Sequence, residues 1–178
     1  MHTLIVVMAL GTILLDAAIV GNVIALMRHQ WRTRLVHFIG AYGLFLLFIL
    51  SVTSIAGTLI LQYADALTPC LLCWWQRVFM YPIGFISAIA LFRGKKLPDI
   101  AEYVFALSLV GALIALYQHL LQVLPSGSLI PCDASGDCAV RTVFEFGFVT
   151  LPWMAFTAFL VIGFIALITF LGRKASSN

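Results

Sequence analysis

The sequence predicts an all-α membrane protein of five transmembrane helices, forming a single domain over residues 1–178. Composition is the first reason: 63% of the residues are hydrophobic and 10% are charged, whereas soluble domains are about 45–50% apolar and about 25% charged. The second reason is that five long stretches are almost free of charge, and each is long enough to cross the hydrocarbon core. The third is that eight of the ten basic residues gather in three clusters between or after these stretches, which argues against a nucleic-acid-binding face.

The charge-poor stretches give the bounds of the expected helices: Leu4–Met27, Phe38–Leu61, Leu71–Phe92, Ile100–Leu120 and Leu151–Leu171. The first stretch could be taken for a signal peptide, which has a basic start and a shorter apolar part before a cleavage site. Here the chain starts with Met1-His2-Thr3, and the basic residues follow the apolar run. We therefore expect a retained helix, in which Asp16 is paired or near water rather than catalytic.

The basic residues predict the orientation of the helices. Eight of the ten form three clusters: Arg28, Arg32 and Arg34; Arg93, Lys95 and Lys96; Arg173 and Lys174. The positive-inside rule assigns all three clusters to the cytoplasmic side. Five helices then place the N-terminus outside and the C-terminus inside, with the links at about 62–69 and 121–150 outside.

The four cysteines fall on or beside those two outward links. Cys70 and Cys73 follow the first link, and Cys132 and Cys138 lie within the second. Disulfides persist on the outer side of bacterial membranes and in the secretory pathway. The placement of the cysteines therefore agrees with an orientation that was inferred without them.

The first pair forms a C-x-x-C motif where the third helix is expected to start. Thr68 suits the N-cap and Pro69 suits the first helical position, which would put Cys70 in the first turn. Backbone N–H groups and the helix dipole would favour a thiolate there, which makes Cys70 or Cys73 a candidate redox centre. Metal sites use the same spacing, whereas a c-type haem site would need histidine at the position of Trp74.

Arg77 and His119 are candidate ligand-binding residues. Arg77 follows Cys73 by four residues, so it should project from the same helix face, one turn deeper. It could extend to the outer interface without a specific role, or offer a cation and paired donors to a carbonyl oxygen of a ligand. His119 ends the fourth apolar stretch, where a histidine is most often interfacial.

The second cysteine pair lies in a segment rich in Ser, Gly and Pro, which is typical of a loop. A disulfide between Cys132 and Cys138 could be a structural staple or an exchange site. Farther on, Phe144, Phe146 and Phe148 alternate with polar or small residues. They predict either an interfacial segment or a wall for a lipid-soluble cofactor.

Together these motifs resemble the DsbB family, the disulfide bond formation protein B type of thiol:quinone oxidoreductase, in its BdbC-like branch. The resemblance covers roughly residues 38–171. It is carried by Cys70-Leu71-Leu72-Cys73-Trp74-Trp75-Gln76-Arg77, Tyr81-Pro82, Tyr117-Gln118-His119 and Pro131-Cys132. It implies a four-helix membrane bundle in that range. The helix at about 4–27 is additional to this core and has no assigned role.

The resemblance also implies a function and a set of site residues. Cys132 and Cys138 would accept electrons from a DsbA-like, thioredoxin-fold oxidase outside the cytoplasmic membrane of a bacterium. Cys70 and Cys73 would pass them to a quinone, either ubiquinone or menaquinone. Arg77 would stabilise charge on the quinone oxygen, and His119 would hydrogen-bond the ring. No metal is implied.

Two other interpretations stay open. A vitamin K epoxide reductase-like enzyme performs similar chemistry, but there the loop pair precedes the C-x-x-C, whereas here it follows. A non-enzymatic membrane protein with structural disulfides or a four-cysteine metal site is the other. A buried arginine one turn below the C-x-x-C would be a poor neighbour for a metal cation.

Overall fold

Five long helices account for most of the chain. The computed structural model describes residues 2–25, 28–64, 69–124 and 143–176. The helices are α1 (His2–Ala25), α2 (His29–Ala64), α3 (Leu71–Phe92), α4 (Ala101–Val123) and α5 (Leu151–Ser176). Each is long and apolar enough to cross a membrane. The predicted all-α, five-span membrane fold is therefore confirmed.

Some helix ends differ from the expected bounds. α2 begins at His29 rather than near Phe38, and α5 runs on to Ser176. A hydropathy pattern marks the part of a helix that lies in hydrocarbon, whereas arginine and lysine are good helix formers. Helices therefore continue through Arg32 and Arg34 beyond the apolar stretch.

Helices α2 to α5 form a four-helix bundle. α2 packs on α3, α3 on α4, α4 on α5, and α5 on α2, while α1 lies outside this ring and packs mainly along α5. All four bundle helices contribute fully buried side chains to the core, including Leu47, Ile83, Val104, Phe159 and Ile162. Large apolar side chains such as Phe85 and Leu113 are exposed on the outside, as expected for a surface that faces lipid.

α4 and α5 approach each other especially closely. Gly111 of α4 faces the ring of Phe159 of α5, and a Cβ atom at position 111 would overlap that ring. A small residue allows two membrane helices to come together without displacing a large side chain. This contact fixes the relative height of α4 and α5.

A short turn joins α3 and α4 at the end of the bundle that carries the basic residues. Gly94 has a φ of 61°, and the Lys95 N–H donates to the carbonyl of Ala90 at 2.8 Å, which ends α3 in a Schellman motif. A single 3-10 turn at Leu97–Asp99 follows, with Leu97 buried against Gly43 of α2. The turn is too short to cross the bundle, so Cys70 and the end of α4 lie together at the opposite end.

Candidate active site

Cys70 caps the helix that carries the C-x-x-C motif. α3 begins at Leu71, Cys70 has extended backbone angles, and its sulfur accepts a hydrogen bond from the Cys73 N–H at 3.4 Å. The expectation that Thr68 caps the helix and Pro69 opens it was therefore wrong. The Cys70 sulfur takes the part that a side-chain oxygen usually has at an N-cap. Pro69 precedes the cap, and Thr68 lies outside the described residues.

The two sulfurs lie side by side, and both accept a hydrogen bond from the same glutamine. Cys70 Sγ and Cys73 Sγ are 3.1 Å apart, and both residues are partly buried. The Gln118 Nε2 of α4 donates to Cys70 Sγ at 3.1 Å and to Cys73 Sγ at 3.3 Å. Gln118 Oε1 accepts from Gln76 Nε2 at 2.6 Å, which fixes the amide so that its donors point at the sulfurs. This arrangement can stabilise a thiolate on either cysteine.

Arg77 lies on the same face of α3 as Cys73, as the spacing predicted, and it is only 8% exposed. Its guanidinium donates to the side-chain oxygen of Gln62 and to the backbone oxygen of Thr58 at 3.3 Å, both on α2. Its charge also lies 5.3 Å from the ring centroid of Trp74. The side chain points into the bundle rather than along lipid, so the interpretation of Arg77 as an interfacial residue loses its support.

The thiols and Arg77 line a common cavity of about 160 Å³. Apolar side chains make most of its wall, among them Ile55, Leu61, Met80 and Phe159. A cavity of about 150 Å³ lined by apolar side chains holds benzene in a soluble protein. The space beside the sulfurs is therefore large enough for one six-membered ring.

His119 is buried next to Gln118 in α4 but does not line this cavity. Its Nδ1 is hydrogen-bonded to Thr150 Oγ1 at 2.9 Å, and its ring packs on Trp153 with centroids 4.8 Å apart. The structure thus places Arg77 beside the cysteines in the cavity wall, whereas His119 lies outside that wall. A direct contact between His119 and a bound ligand stays a prediction.

Asp16 of α1 reaches the same end of α5. Its carboxylate accepts from Trp153 Nε1 at 3.0 Å and from Thr157 Oγ1 at 2.7 Å. The expectation that Asp16 is paired is confirmed, although its partners are neutral donors rather than a cation.

The segment before α5 forms a tight turn. Glu145 and Val149 make an isolated β-bridge, and Phe146 and Gly147 have positive φ angles of 53° and 81°. Phe144, Phe146 and Phe148 are exposed, and none of them lines the cavity. Their geometry favours the interfacial interpretation over a wall for a cofactor.

Sequence reasoning missed the glutamines. Gln76 and Gln118 stood in the quoted motifs without a role, and Gln62 and Gln122, which also line the cavity, were not considered. An uncharged amide within an apolar helix is itself a signal, because it needs a hydrogen-bond partner there. Cys132 and Cys138 lie outside the described residues, so their pairing and their distance from Cys70 stay predictions.

The chain is similar to known disulfide bond formation proteins. The family model described as "Disulfide bond formation protein DsbB" matches residues 40–170. The chain is 34% identical over 115 residues to Disulfide bond formation protein C of Bacillus subtilis (strain 168), covering 64% of this chain and 82% of the relative.

A second relative from the same organism is the SPbeta prophage-derived disulfide bond formation protein B. It is 38% identical over 117 residues, which cover 66% of this chain and 78% of the relative. No solved structure matches the chain. The family match covers well over half of the chain. The chain therefore belongs to the DsbB family of multi-pass membrane oxidoreductases that act in disulfide bond formation.

Proposed function

We propose that this protein reoxidises a DsbA-type, thioredoxin-fold thiol oxidase and passes the electrons to a membrane quinone. One observation carries the proposal: Cys70, Cys73, Gln118 and Arg77 line a single, mainly apolar cavity between membrane helices. Such a cavity offers a lipid-soluble electron acceptor direct access to a thiol pair. We assign the protein to the bacterial cytoplasmic membrane, with all four cysteines towards the extracytoplasmic side.

The loop cysteines are the proposed point where electrons enter. A thiolate of the reduced partner attacks the Cys132–Cys138 disulfide and forms a mixed disulfide, releasing one loop thiolate. The partner's second thiolate then attacks the mixed disulfide and releases the other loop thiolate. The partner has lost two electrons and carries a disulfide, and the loop pair is a dithiol.

The C-x-x-C pair is the proposed second carrier. The loop dithiol reduces a Cys70–Cys73 disulfide by the same two exchange steps, which returns Cys132 and Cys138 to the disulfide. Cys70, as the helix cap, lies at the end of α3, so it is the sulfur that we expect the loop thiol to attack. The Gln118 amide, which contacts both sulfurs, would stabilise whichever thiolate leaves.

The residues around the cavity fit a quinone. A bound quinone supplies the acceptor for two electrons and two protons as the dithiol becomes a disulfide. Apolar side chains accommodate the ring, and the Arg77 guanidinium is a fixed donor for a carbonyl oxygen that gains negative charge. Arg77 is already held by Gln62 and Thr58, so little side-chain entropy is lost on binding.

Quinone-dependent oxidation of a thioredoxin-like dithiol by the purified protein in lipid tests the proposal. We expect the dithiol to be oxidised catalytically when a quinone is supplied, with one quinone consumed per disulfide formed. A Cys73→Ala variant should lose this activity.

The Cys132→Ala, Cys138→Ala double variant separates the two steps. It should no longer oxidise the partner, yet its reduced Cys70–Cys73 pair should still be oxidised by quinone in a single turnover. If the wild-type protein oxidises no dithiol with any quinone, the proposed function is wrong, and the interpretation as a non-enzymatic protein with structural disulfides is favoured. Loss of activity with a chelator would favour a metal site.

A further inference from the structure

Helix α1, which is additional to the four-helix bundle, takes part in the cavity. The cavity wall includes residues of all five helices, and Met8 is the contribution of α1. The family match begins at residue 40, so α1 lies outside the part of the chain that the family accounts for. A helix that only anchored the chain would have no reason to reach the redox site.

α1 comes close to α2 because α2 has a glycine at the contact. The methyl carbon of Met8 would lie 2.9 Å from a Cβ atom at position 57, and Gly57 is buried. Glycine is the least favourable residue inside a helix apart from proline, so its presence there needs a packing reason. The thioether of Met8 fills the space that Gly57 leaves and so forms part of the cavity wall.

One stripe of α1 faces the bundle. Met8, Thr12 and Asp16 follow one another at intervals of four residues, which aligns them on one helix face. Thr12 is buried and donates to the Met8 carbonyl at 2.9 Å, whereas Leu14 on the other side is 71% exposed. The polar members of the stripe therefore point away from lipid.

Asp16 holds this stripe against α5. Its two carboxylate oxygens accept from Trp153 Nε1 and Thr157 Oγ1 at 3.0 and 2.7 Å. Polar contacts between membrane helices stabilise their association where apolar contacts give little preference over lipid. Because α1 lies along α5 and touches α2 at Gly57, it covers the seam between these two helices on the cavity side.

We propose that α1 is a functional wall of the quinone site: Met8 determines which ring sizes fit beside the thiols, and Asp16 is the positioning residue that keeps α1 on the seam. This inference rests on the proposed quinone reduction and adds its specificity. It predicts that a change on α1 alters the choice of quinone without altering thiol exchange at the loop cysteines.

The test compares a monocyclic benzoquinone with a bicyclic naphthoquinone in the purified full-length protein. Met8→Ala enlarges the cavity, so kcat/KM for the bicyclic ring should rise relative to the monocyclic ring by about tenfold, the scale of small volume changes in apolar pockets. Met8→Leu conserves volume and should keep the wild-type ratio. Leu14→Ala, on the exposed face of the same helix, is the matched control and should also keep it.

Asp16 is tested by removing its acceptor oxygens. Asp16→Leu should release α1 from Trp153 and Thr157 and change the quinone ratio in the same direction as Met8→Ala. Asp16→Asn retains an acceptor oxygen and should restore most of the wild-type ratio. A purely structural role would lower kcat for both quinones equally and leave the ratio unchanged.

A second measurement does not depend on quinone reduction. In a variant that keeps Cys73 as its single cysteine, Met8→Ala should speed the reaction of Cys73 with a lipid-soluble maleimide, and Leu14→Ala should not. If wild-type protein reduces no quinone, the proposed function fails and the maleimide rates alone decide whether α1 covers the cavity. Equal quinone ratios, or equal maleimide rates, in Met8→Ala and Leu14→Ala overturn the inference.

Discussion

The site is a group of polar side chains that are buried in an apolar bundle and that satisfy one another. Gln76, Arg77 and Gln118 are buried, and each donates a hydrogen bond within the bundle. Burial of such groups is tolerated only when their hydrogen bonds are made. Their contacts therefore hold the two sulfurs and the guanidinium in fixed positions before any ligand binds.

Arg77→Ala should weaken quinone binding more than it slows thiol exchange. A hydrogen bond to a charged group is worth about 1.5–3 kcal/mol, so we expect the KM for quinone to rise about ten- to a hundredfold. Steady-state kinetics with varied quinone measure this effect. Arg77→Lys should recover only part of the loss, because an ammonium keeps the charge without the paired planar donors.

Val78→Ala is the matched control for Arg77, since Val78 is the next residue and is 50% exposed on the outer face of α3. It should leave the KM for quinone unchanged. An unchanged KM in Arg77→Ala would remove Arg77 from the proposed quinone site.

Gln118→Leu should make the C-x-x-C pair a weaker oxidant. The substitution removes the amide that donates to both sulfurs, so the thiolate and with it the reduced state become less stable. Loss of about 1.5–3 kcal/mol corresponds to a reduction potential lower by about 30–65 mV. Equilibration of the Cys132→Ala, Cys138→Ala protein with thiol buffers of known potential measures the shift. Leu113→Ala, a lipid-facing change on the same helix, should leave the potential unchanged, and an equal potential in Gln118→Leu would contradict the assignment.

Among the helices, hydropathy predicted which segments cross the membrane but not where the helices end. The expected Leu71–Phe92 is identical to α3, because a cap at Cys70 and a Schellman motif at Gly94 coincide with the limits of the apolar stretch. α2 starts well before its apolar part, because Arg32 and Arg34 are good helix formers. The N-cap at Cys70 could not be predicted from the sequence either, because the rules for N-caps consider side-chain oxygen acceptors and not a cysteine sulfur.

The contact between α4 and α5 gives a prediction for the stability of the bundle. Gly111→Ala should destabilise the protein by about 1–3 kcal/mol, the usual cost of overpacking, because its Cβ would overlap the buried ring of Phe159. Unfolding by titration with sodium dodecyl sulfate in mixed micelles measures the change.

Gly40→Ala is the control, since no atom lies within 4 Å of a Cβ at that position. It should leave stability unchanged or raise it by up to about 1 kcal/mol, because alanine is a better helix former than glycine. Equal stabilities of the two variants would mean that α4 and α5 do not approach as closely as described.

In the whole molecule, the links at the ends of the helices decide which side of the membrane meets which partner. We expect a membrane-impermeant thiol reagent to label Cys132 and Cys138 in intact cells after reduction, in a Cys70→Ala, Cys73→Ala protein. The reason is that the basic clusters lie at the opposite end of the bundle and favour the cytoplasm.

The matched control introduces Lys95→Cys into a protein without its four native cysteines. Lys95 is exposed in the turn between α3 and α4, so this cysteine should react only after the membrane is breached. The reverse pattern of labelling would invert the orientation and place the loop cysteines out of reach of an extracytoplasmic oxidase.

The arrangement of the helices around the cavity could not be predicted from the sequence. A charge-poor stretch such as that of α1 carries a clear membrane signal but little information on which neighbour it contacts. Asp16 was the exception, since a carboxylate among apolar residues needs donors. Its partners Trp153 and Thr157 lie far along the chain, and only the three-dimensional structure identifies them.

The pairing of Asp16 with α5 has a consequence for biosynthesis. Trp153 and Thr157 follow Asp16 by 137 and 141 residues, so α1 leaves the ribosome and enters the bilayer long before its partners are translated. A carboxylate near the middle of a lone membrane helix costs about 2.5–3.5 kcal/mol on insertion scales. Insertion of nascent α1 into the bilayer is therefore weakened by Asp16 until α5 is made. Insertion of α5 completes the bundle and supplies the hydrogen-bond donors that Asp16 needs. A truncated product that ends before α5 would leave the Asp16 carboxylate without these donors in the membrane, where protein quality control can recognise it.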